Sequence, residues 1–315
     1  MSTAKTSLGA GPRPPLALIA GPTASGKSDL AVELALRHGD AVVINADSAQ
    51  VYRDLRVLSA RPSADDMHGV EHRLFGTWDG AQACSAADWA AGARSEIEAA
   101  QAQGKLPILV GGTGLYLRTL LDGIAPVPAI DPAVRETVRA LAQERRLAAL
   151  RSEDPSAANR IAPGDSTRTA RALEVVRSTG QTLADWQHDI SGGIGDAVDL
   201  RAVILLPERS ELYRRCDLRF AAMLEKGAIS EVEALLARKL DSELPVMRAI
   251  GVRQIAALLS GEVLPGAVLA EGQQATRNYA KRQYTWFRNQ PPPEWKRVES
   301  DNYDVQAIFA SLLQE

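Results

Sequence analysis

The sequence predicts an α/β fold, a parallel sheet flanked by helices and interrupted by an all-helical insertion. Three observations carry the prediction. Apolar runs without alternation stand at residues 16–20, 41–46 and 106–110, and each ends in a glycine or polar turn. A helix-patterned stretch follows the first run, with Leu30, Ala31, Leu34 and Ala35 on one side. Between residues 131 and 197 helix starts recur and no strand-like run appears. Continuous apolar runs are how strands covered on both faces of a parallel sheet read, and strands alternating with helices build doubly wound sheets.

Taken in order, residues 1–15 are mostly small, polar and proline-rich, and read as a flexible N-terminus. The run at 16–20 is the first strand, too short for a signal peptide or a membrane span. Residues 29–38 read as the first helix, 41–46 as a strand ending at Asp47-Ser48, and 106–110 as a strand ending at Gly111-Gly112-Thr113-Gly114. Ligands of open α/β sheets sit at the carboxyl ends of strands, so Asp47 and Thr113 are expected near the loop after the first strand. Ala125-Pro126-Val127-Pro128 reads as a linker, and Asp131-Pro132, Asp154-Pro155 and Asp165-Ser166 as helix starts. The glycine-rich segment 191–195 closes this region. The expected division is therefore a core of residues 16–130 and 198–315 around a helical insertion of residues 131–197. A strand-like run returns at 202–206, and helical patterns resume at Arg209 and stop at Pro291-Pro292-Pro293.

The 315 residues, 45% hydrophobic and 24% charged, suffice for one large domain with an appendage. With a net charge of -3, a polyanionic partner would have to be held by local basic patches rather than by the field of the whole molecule. Cys84 and Cys216 stand far apart without paired-ligand spacing. That argues against a disulfide framework or a thiolate zinc site and fits a reducing cytoplasm; the short apolar runs lead to no expectation of a membrane partner.

The chemistry starts at Gly21-Pro22-Thr23-Ala24-Ser25-Gly26-Lys27-Ser28, a G-x-x-x-x-G-K-S loop between the first strand and the first helix. Glycines let successive backbone N–H groups turn toward one anion at a helix N-terminus; Lys27 adds a point charge and the Ser28 hydroxyl can hold Mg²⁺. The fold class is accordingly P-loop NTPase-like. The loop specifies phosphate, not ATP: a kinase, a nucleotide hydrolase and an enzyme that expels diphosphate from a prenyl donor would all use this cradle. Asp47, Ser48, Gln50 and Tyr52 follow the second strand, and on spacing alone Asp47 or Ser48 is as well read as a helix cap.

Longer segments narrow the choice. GPTASGKS at 21–28, DSAQVYR at 47–53, SAADW at 85–89, GGTGLYL at 111–117, DSTRTARALEV at 165–175, LRFAAM at 218–223, RAIGVR at 248–253 and TRNYAKRQYTWFR at 276–288 together resemble the tRNA dimethylallyltransferases, also called tRNA isopentenyltransferases. The resemblance covers nearly the whole chain. It implies dimethylallyl diphosphate as donor, Mg²⁺ as cofactor, and alkylation of N6 of adenosine 37 beside the tRNA anticodon. Carried onto matching positions, it makes Asp47 the general base, places Thr113 near the reacting groups and Arg219 at the diphosphate. It also implies tRNA contacts at Asp47, Ser48, Ala49, Gln50, Thr113, Arg135, Thr167, Arg168, Thr169, Ala170, Arg171, Arg248, Ala249, Ile250, Gly251, Val252 and Arg253. The insertion is then a clamp on the anticodon stem, and no obligate protein partner is required.

Independently, Arg277, Lys281, Tyr284 and Arg288 recur at spacings of four, three and four, a basic stripe with one aromatic on one helix face. With the resemblance, Arg277 and Lys281 read as tRNA contacts. Departures from the family pattern fall at Ser59, Arg61, Gly164, Val252 and Gln254, and put local RNA contacts in doubt, above all any stacking at 252. His68-Gly69-Val70-Glu71-His72 spells a zinc-protease motif, but Gly69 and Val70 are poor helix formers and no third ligand is evident. A nucleoside or small-molecule kinase on the same fold is the competing reaction class, and a non-catalytic RNA-binding protein the third.

Overall fold

A computed structural model describes residues 12–300 and 303–313. Most of the expected N-terminal tail, residues 1–11, lies outside the described residues. The chain forms two compact units, one running to Leu121 and from Ile194 onward, the other Asp122–Gly193.

The first unit is built on a six-stranded parallel sheet: β1 (Pro15–Ala20), β2 (Ala41–Asn45), β3 (Glu71–Arg73), β4 (Leu106–Gly111), β5 (Asp199–Leu205) and β6 (Lys296–Val298), in spatial order β3-β2-β4-β1-β5-β6. The longer helices are α1 (Lys27–His38), α2 (Ala86–Ala102) and α3 (Gly114–Leu121) before the second unit. After it come α8 (Arg209–Met223), α9 (Ile229–Ala237), α10 (Val252–Leu259) and α11 (Pro265–Asn289). The central strands are covered on both faces. Leu16, Leu18 and Ala20 of β1 enter one core with Trp89, Leu117 and Phe220, while Ala17 and Ile19 enter another with Leu30 and Leu34 of α1. Period-2 side-chain alternation is thus satisfied by two apolar layers, which is why these strands carry no polar face. The edge strands β3 and β6 are three residues each and too polar to read as apolar runs.

The second unit comprises α4 (Pro132–Ala140), α5 (Gln143–Glu153), α6 (Pro155–Arg160) and α7 (Ser166–Thr179) around Val138, Leu150 and Leu173. Asp131, Asp154 and Asp165 cap α4, α6 and α7 as expected, each carboxylate accepting a backbone N–H of the first turn. Its limits differ from the expected 131–197. Gly123–Ile124 pairs antiparallel with Ser191–Gly192, so the segment before the proline linker belongs to this unit. At the other end Ile194 is buried in the first unit and its N–H reaches the Leu120 carbonyl at 2.9 Å. A local ladder closes the unit, and composition alone does not reveal it.

Candidate active site

The neighbouring strands β2, β4 and β1 end together, which brings three loops side by side. Ala46 N–H donates to the Val110 carbonyl (2.7 Å) and Thr113 N–H to the Ala46 carbonyl (3.2 Å), tying the Asp47 and Thr113 turns to each other.

The first loop is the G-x-x-x-x-G-K-S segment, residues 21–28. Gly26 takes a left-handed conformation (φ 86°) just before α1, which turns the loop amides over the helix N-terminus. Among the described residues Ser25 Oγ is buried without a partner, and the Lys27 ammonium donates to the Pro22 carbonyl at 2.6 Å. Burial pulls the Lys27 pKa down to about 8, against the pull of Asp47 in the other direction; the neighbouring Arg219 lowers it further. Arg219, reaching over from α8, bonds the Thr23 hydroxyl, and burial lowers its own pKa as well. A cavity of about 200 Å³ opens here, lined by residues 23–29 together with Asp47, Gln50 and Arg219.

A second cavity of about 310 Å³ adjoins it, with Tyr52, Leu58, Phe220, Met223 and Tyr279 in its wall. Thr23, Asp47, Ser59 and Arg219 line both. Asp47 therefore stands where the polar cavity over the glycine-rich loop meets a larger, mostly apolar one. Its backbone is pinned by buried Asn45, whose Oδ1 accepts from Asp47 N–H (2.9 Å) while its Nδ2 donates to the carbonyls of Asp47 (3.0 Å) and Leu74 (3.1 Å). One Asp47 carboxylate oxygen accepts from Ala49 N–H at 2.9 Å, closing a turn with no helix behind it. The cap reading of Asp47 thus holds only as a local turn.

Thr113 lies beside this group with its hydroxyl engaged: it accepts from Ser48 N–H (3.0 Å) and donates to Ser48 Oγ (3.2 Å). The Tyr279 hydroxyl bonds the same pair, and burial pushes its pKa well above the ordinary phenol value, so it stays protonated. The SAADW segment supports the site from behind. Ser85 and Asp88 form a capping box on α2, and the Trp89 indole donates to the Asn45 carbonyl at 2.8 Å while stacking on Tyr116 at 4.6 Å.

The expected RNA contacts fall in different surroundings. Thr169 and Ala170 are buried in the second unit, the Thr169 hydroxyl donating to the Asp165 carbonyl at 2.7 Å, while Arg135, Thr167, Arg168 and Arg171 are exposed. Arg168 pairs with Asp165 at 3.0 Å. Gly251 and Val252 are buried; Val252, at 2% exposure, is a core side chain and cannot stack on a base. Arg248, Ala249 and Ile250 line the larger cavity and Arg253 is exposed. Gln50 has no free donor for a base edge, because its amide holds the Ser59 (3.1 Å) and Ala60 (2.8 Å) carbonyls. The basic stripe is not continuous either. Tyr284 is buried beneath the Arg209 guanidinium (4.7 Å) and Arg277 pairs with Asp217, leaving Lys281 and Arg288 exposed. Helical spacing put all four on one face, but α11 packs that face partly against α8. In the zinc-protease decoy, His68 adopts φ 47°, Glu71 binds Arg73 and Lys105, and His72 Nδ1 meets the Val70 carbonyl.

Sequence reasoning missed Asn45, Tyr279, Gln283 and Glu231. A polar residue at the end of an apolar run was a signal for Asn45; Glu231 gave none. From α9 it accepts the backbone N–H groups of Arg56, Val57 (2.9 Å) and Leu58 (2.8 Å), anchoring the loop that carries Ser59 and Ala60 into the cavities.

The family model described as IPP transferase matches residues 50–290. A tRNA dimethylallyltransferase of Erythrobacter litoralis is 66% identical over 96% of this chain and 97% of its own, and that of Zymomonas mobilis 50% identical over 91% and 92%. Among solved structures, the full-length tRNA isopentenylpyrophosphate transferase from Bacillus halodurans aligns with a TM-score of 0.67 and 31% identity over 95% of this chain and 94% of that one. A eukaryotic dimethylallyltransferase acting on tRNA aligns with a TM-score of 0.74 and 26% identity over 87% and 70%. With the glycine-rich loop and the Asp47 and Thr113 turns assembled at the carboxyl ends of three neighbouring strands, and with likeness of this extent to relatives and solved structures alike, the chain belongs to the IPP transferase family, that of the tRNA dimethylallyltransferases.

Proposed function

We propose that the protein transfers the dimethylallyl group of dimethylallyl diphosphate to N6 of adenosine 37, next to the tRNA anticodon, giving N6-isopentenyladenosine and diphosphate. The observation that carries this reading is the position of Asp47 at the junction of an anion cradle and a mostly apolar cavity. A kinase would need the acceptor base to face a γ-phosphate across the loop; here the carboxylate also faces space with Phe220 and Met223 in its wall, suited to a prenyl chain and an extruded base.

In this mechanism Asp47 accepts the N6 proton as N6 attacks C1, which avoids a costly ammonium on a weakly nucleophilic amine. The diphosphate departs on the opposite side of C1, where Lys27, Arg219 and the loop amides meet charge that grows toward the transition state. The unpartnered Ser25 hydroxyl and the oxygen donors Ser28 and Asp29 beside it fit an anion accompanied by a hard cation. Ser28 would hold Mg²⁺, which supplies charge neutralisation at the diphosphate. Thr113 and Tyr279 hold Ser48 and so set the Asp47 turn. Exposed Arg135, Arg168, Arg171, Lys281 and Arg288 supply phosphate contacts to the anticodon stem-loop. Among the described residues no helix is long and apolar enough to cross a membrane, and we take the chain to act in the cytoplasm as a single subunit.

The test incubates purified protein with dimethylallyl diphosphate, Mg²⁺ and unmodified tRNA carrying adenosines at 36 to 38, without ATP, followed by mass spectrometry of the nucleosides. N6-isopentenyladenosine is expected; ATP turnover without prenylated product would support the kinase instead.

A further inference from the structure

The phosphate loop and the Gly112-Thr113 turn belong to different strands, yet the reaction read above needs them in register, since one holds the leaving group and the other the turn that aims the base. A buried amide from α11 joins them. Gln283, 6% exposed, accepts from Thr23 N–H at 2.8 Å through Oε1 and donates to the Gly112 carbonyl at 2.8 Å through Nε2. Both ends of the amide are used, and each in the sense that only an amide orientation allows.

The surroundings show a fitted joint. A β-carbon at Gly112 would collide with the Gln283 amide, and one at Gly114 with the Trp286 indole one turn further along α11. Thr113 is thus bracketed by two glycines that let α11 approach. On the other side Thr23 is held twice, its N–H by Gln283 and its hydroxyl by Arg219 of α8.

We propose that Gln283 is a positioning residue for prenyl transfer, its amide setting the separation between the diphosphate cradle and the Ser48–Thr113 turn that orients Asp47. The proposal rests on the prenyltransferase reading. A misplacement of about 1 Å between reacting groups costs on the order of a hundredfold in rate, so a joint at this place acts on turnover before it acts on binding.

The test compares wild-type, Gln283→Met and Gln283→Glu full-length protein for kcat, KM of each substrate, tRNA affinity and thermal midpoint. Gln283→Met keeps the length of the side chain and loses both bonds; its kcat should fall at least tenfold per folded molecule, with tRNA affinity within twofold of wild type. Gln283→Glu keeps the acceptor for Thr23, loses the donor to Gly112 and adds a negative charge beside the diphosphate. Its KM for dimethylallyl diphosphate should rise severalfold more than its KM for tRNA. Should Gln283→Met fail to fold, the split in the Gln283→Glu variant decides. Wild-type kcat in folded Gln283→Met, or equal changes in both KM values for Gln283→Glu, would overturn the proposal. An inactive wild-type protein would instead reject the prenyltransferase reading itself.

Discussion

Asp47 has one job seen in the structure and one proposed for it, and one substitution separates them. Its carboxylate closes a turn by accepting Ala49 N–H at 2.9 Å, and it is proposed to take the N6 proton. Asp47→Asn retains an oxygen for Ala49 and removes the base. Loss of a general base costs roughly 10²- to 10⁴-fold, or about 3–5 kcal/mol of barrier. Asp47→Ala loses the turn as well, a further ~1 kcal/mol or about fivefold. Initial rates with each substrate varied, tRNA filter binding and thermal midpoints would be measured for both. Asp47→Asn should bind tRNA and melt like wild type while kcat collapses; Asp47→Ala should be slower still and melt earlier. A second signature follows from Lys27, whose pKa Asp47 holds up. Without that charge Lys27 should fall below about 8, so the pH at which the KM for dimethylallyl diphosphate starts to rise should move down. Asp47→Asn turning over within tenfold of wild type would refute the base assignment. An unmoved KM profile would refute the electrostatic link.

For wild type, Lys27 is charged below about pH 8 and loses its proton above it; because diphosphate binding favours the ammonium, donor affinity should be complete below that pH and weaken by at most about tenfold per unit above it, a trend that calorimetry with inorganic diphosphate would read and a flat profile would contradict. Glu231→Ala releases three backbone N–H groups of a half-exposed loop. Water replaces part of that contact, so the cost should be about 1–2 kcal/mol, seen as a thermal midpoint lower by roughly 2–4 °C per kcal/mol. The KM for dimethylallyl diphosphate should rise with it; an unchanged KM would detach that loop from the donor site. On α11, Lys281→Ala should weaken tRNA binding and reduce the slope of log affinity against log salt by about 0.7–0.9, whereas Arg277→Ala, which first breaks a pair with Asp217, should change the slope less. Equal slopes for Lys281→Ala and wild type would return that face to solvent.

What the sequence determined by itself was whatever depends on near neighbours. Strands buried on two faces show as unbroken apolar runs, aspartates before proline or serine show as caps, and the glycine-rich loop between the first strand and the first helix is one contiguous segment. Motif resemblance then named Asp47, Thr113 and Arg219 without their geometry. Tertiary structure decided what depends on partners far along the chain. Thr169, Ala170, Gly251 and Val252 lie inside motif segments, yet packing turned them inward, because a helix carries motif residues on every side and only its neighbours choose which side is buried. Tyr284 left the basic stripe for the same reason. Gln283 reaches Gly112 across 171 positions and Glu231 reaches Val57 across 174. Such bonds have no local pattern, since a single polar side chain satisfies a distant backbone group only after both strand ends and helices have been brought together by the apolar core.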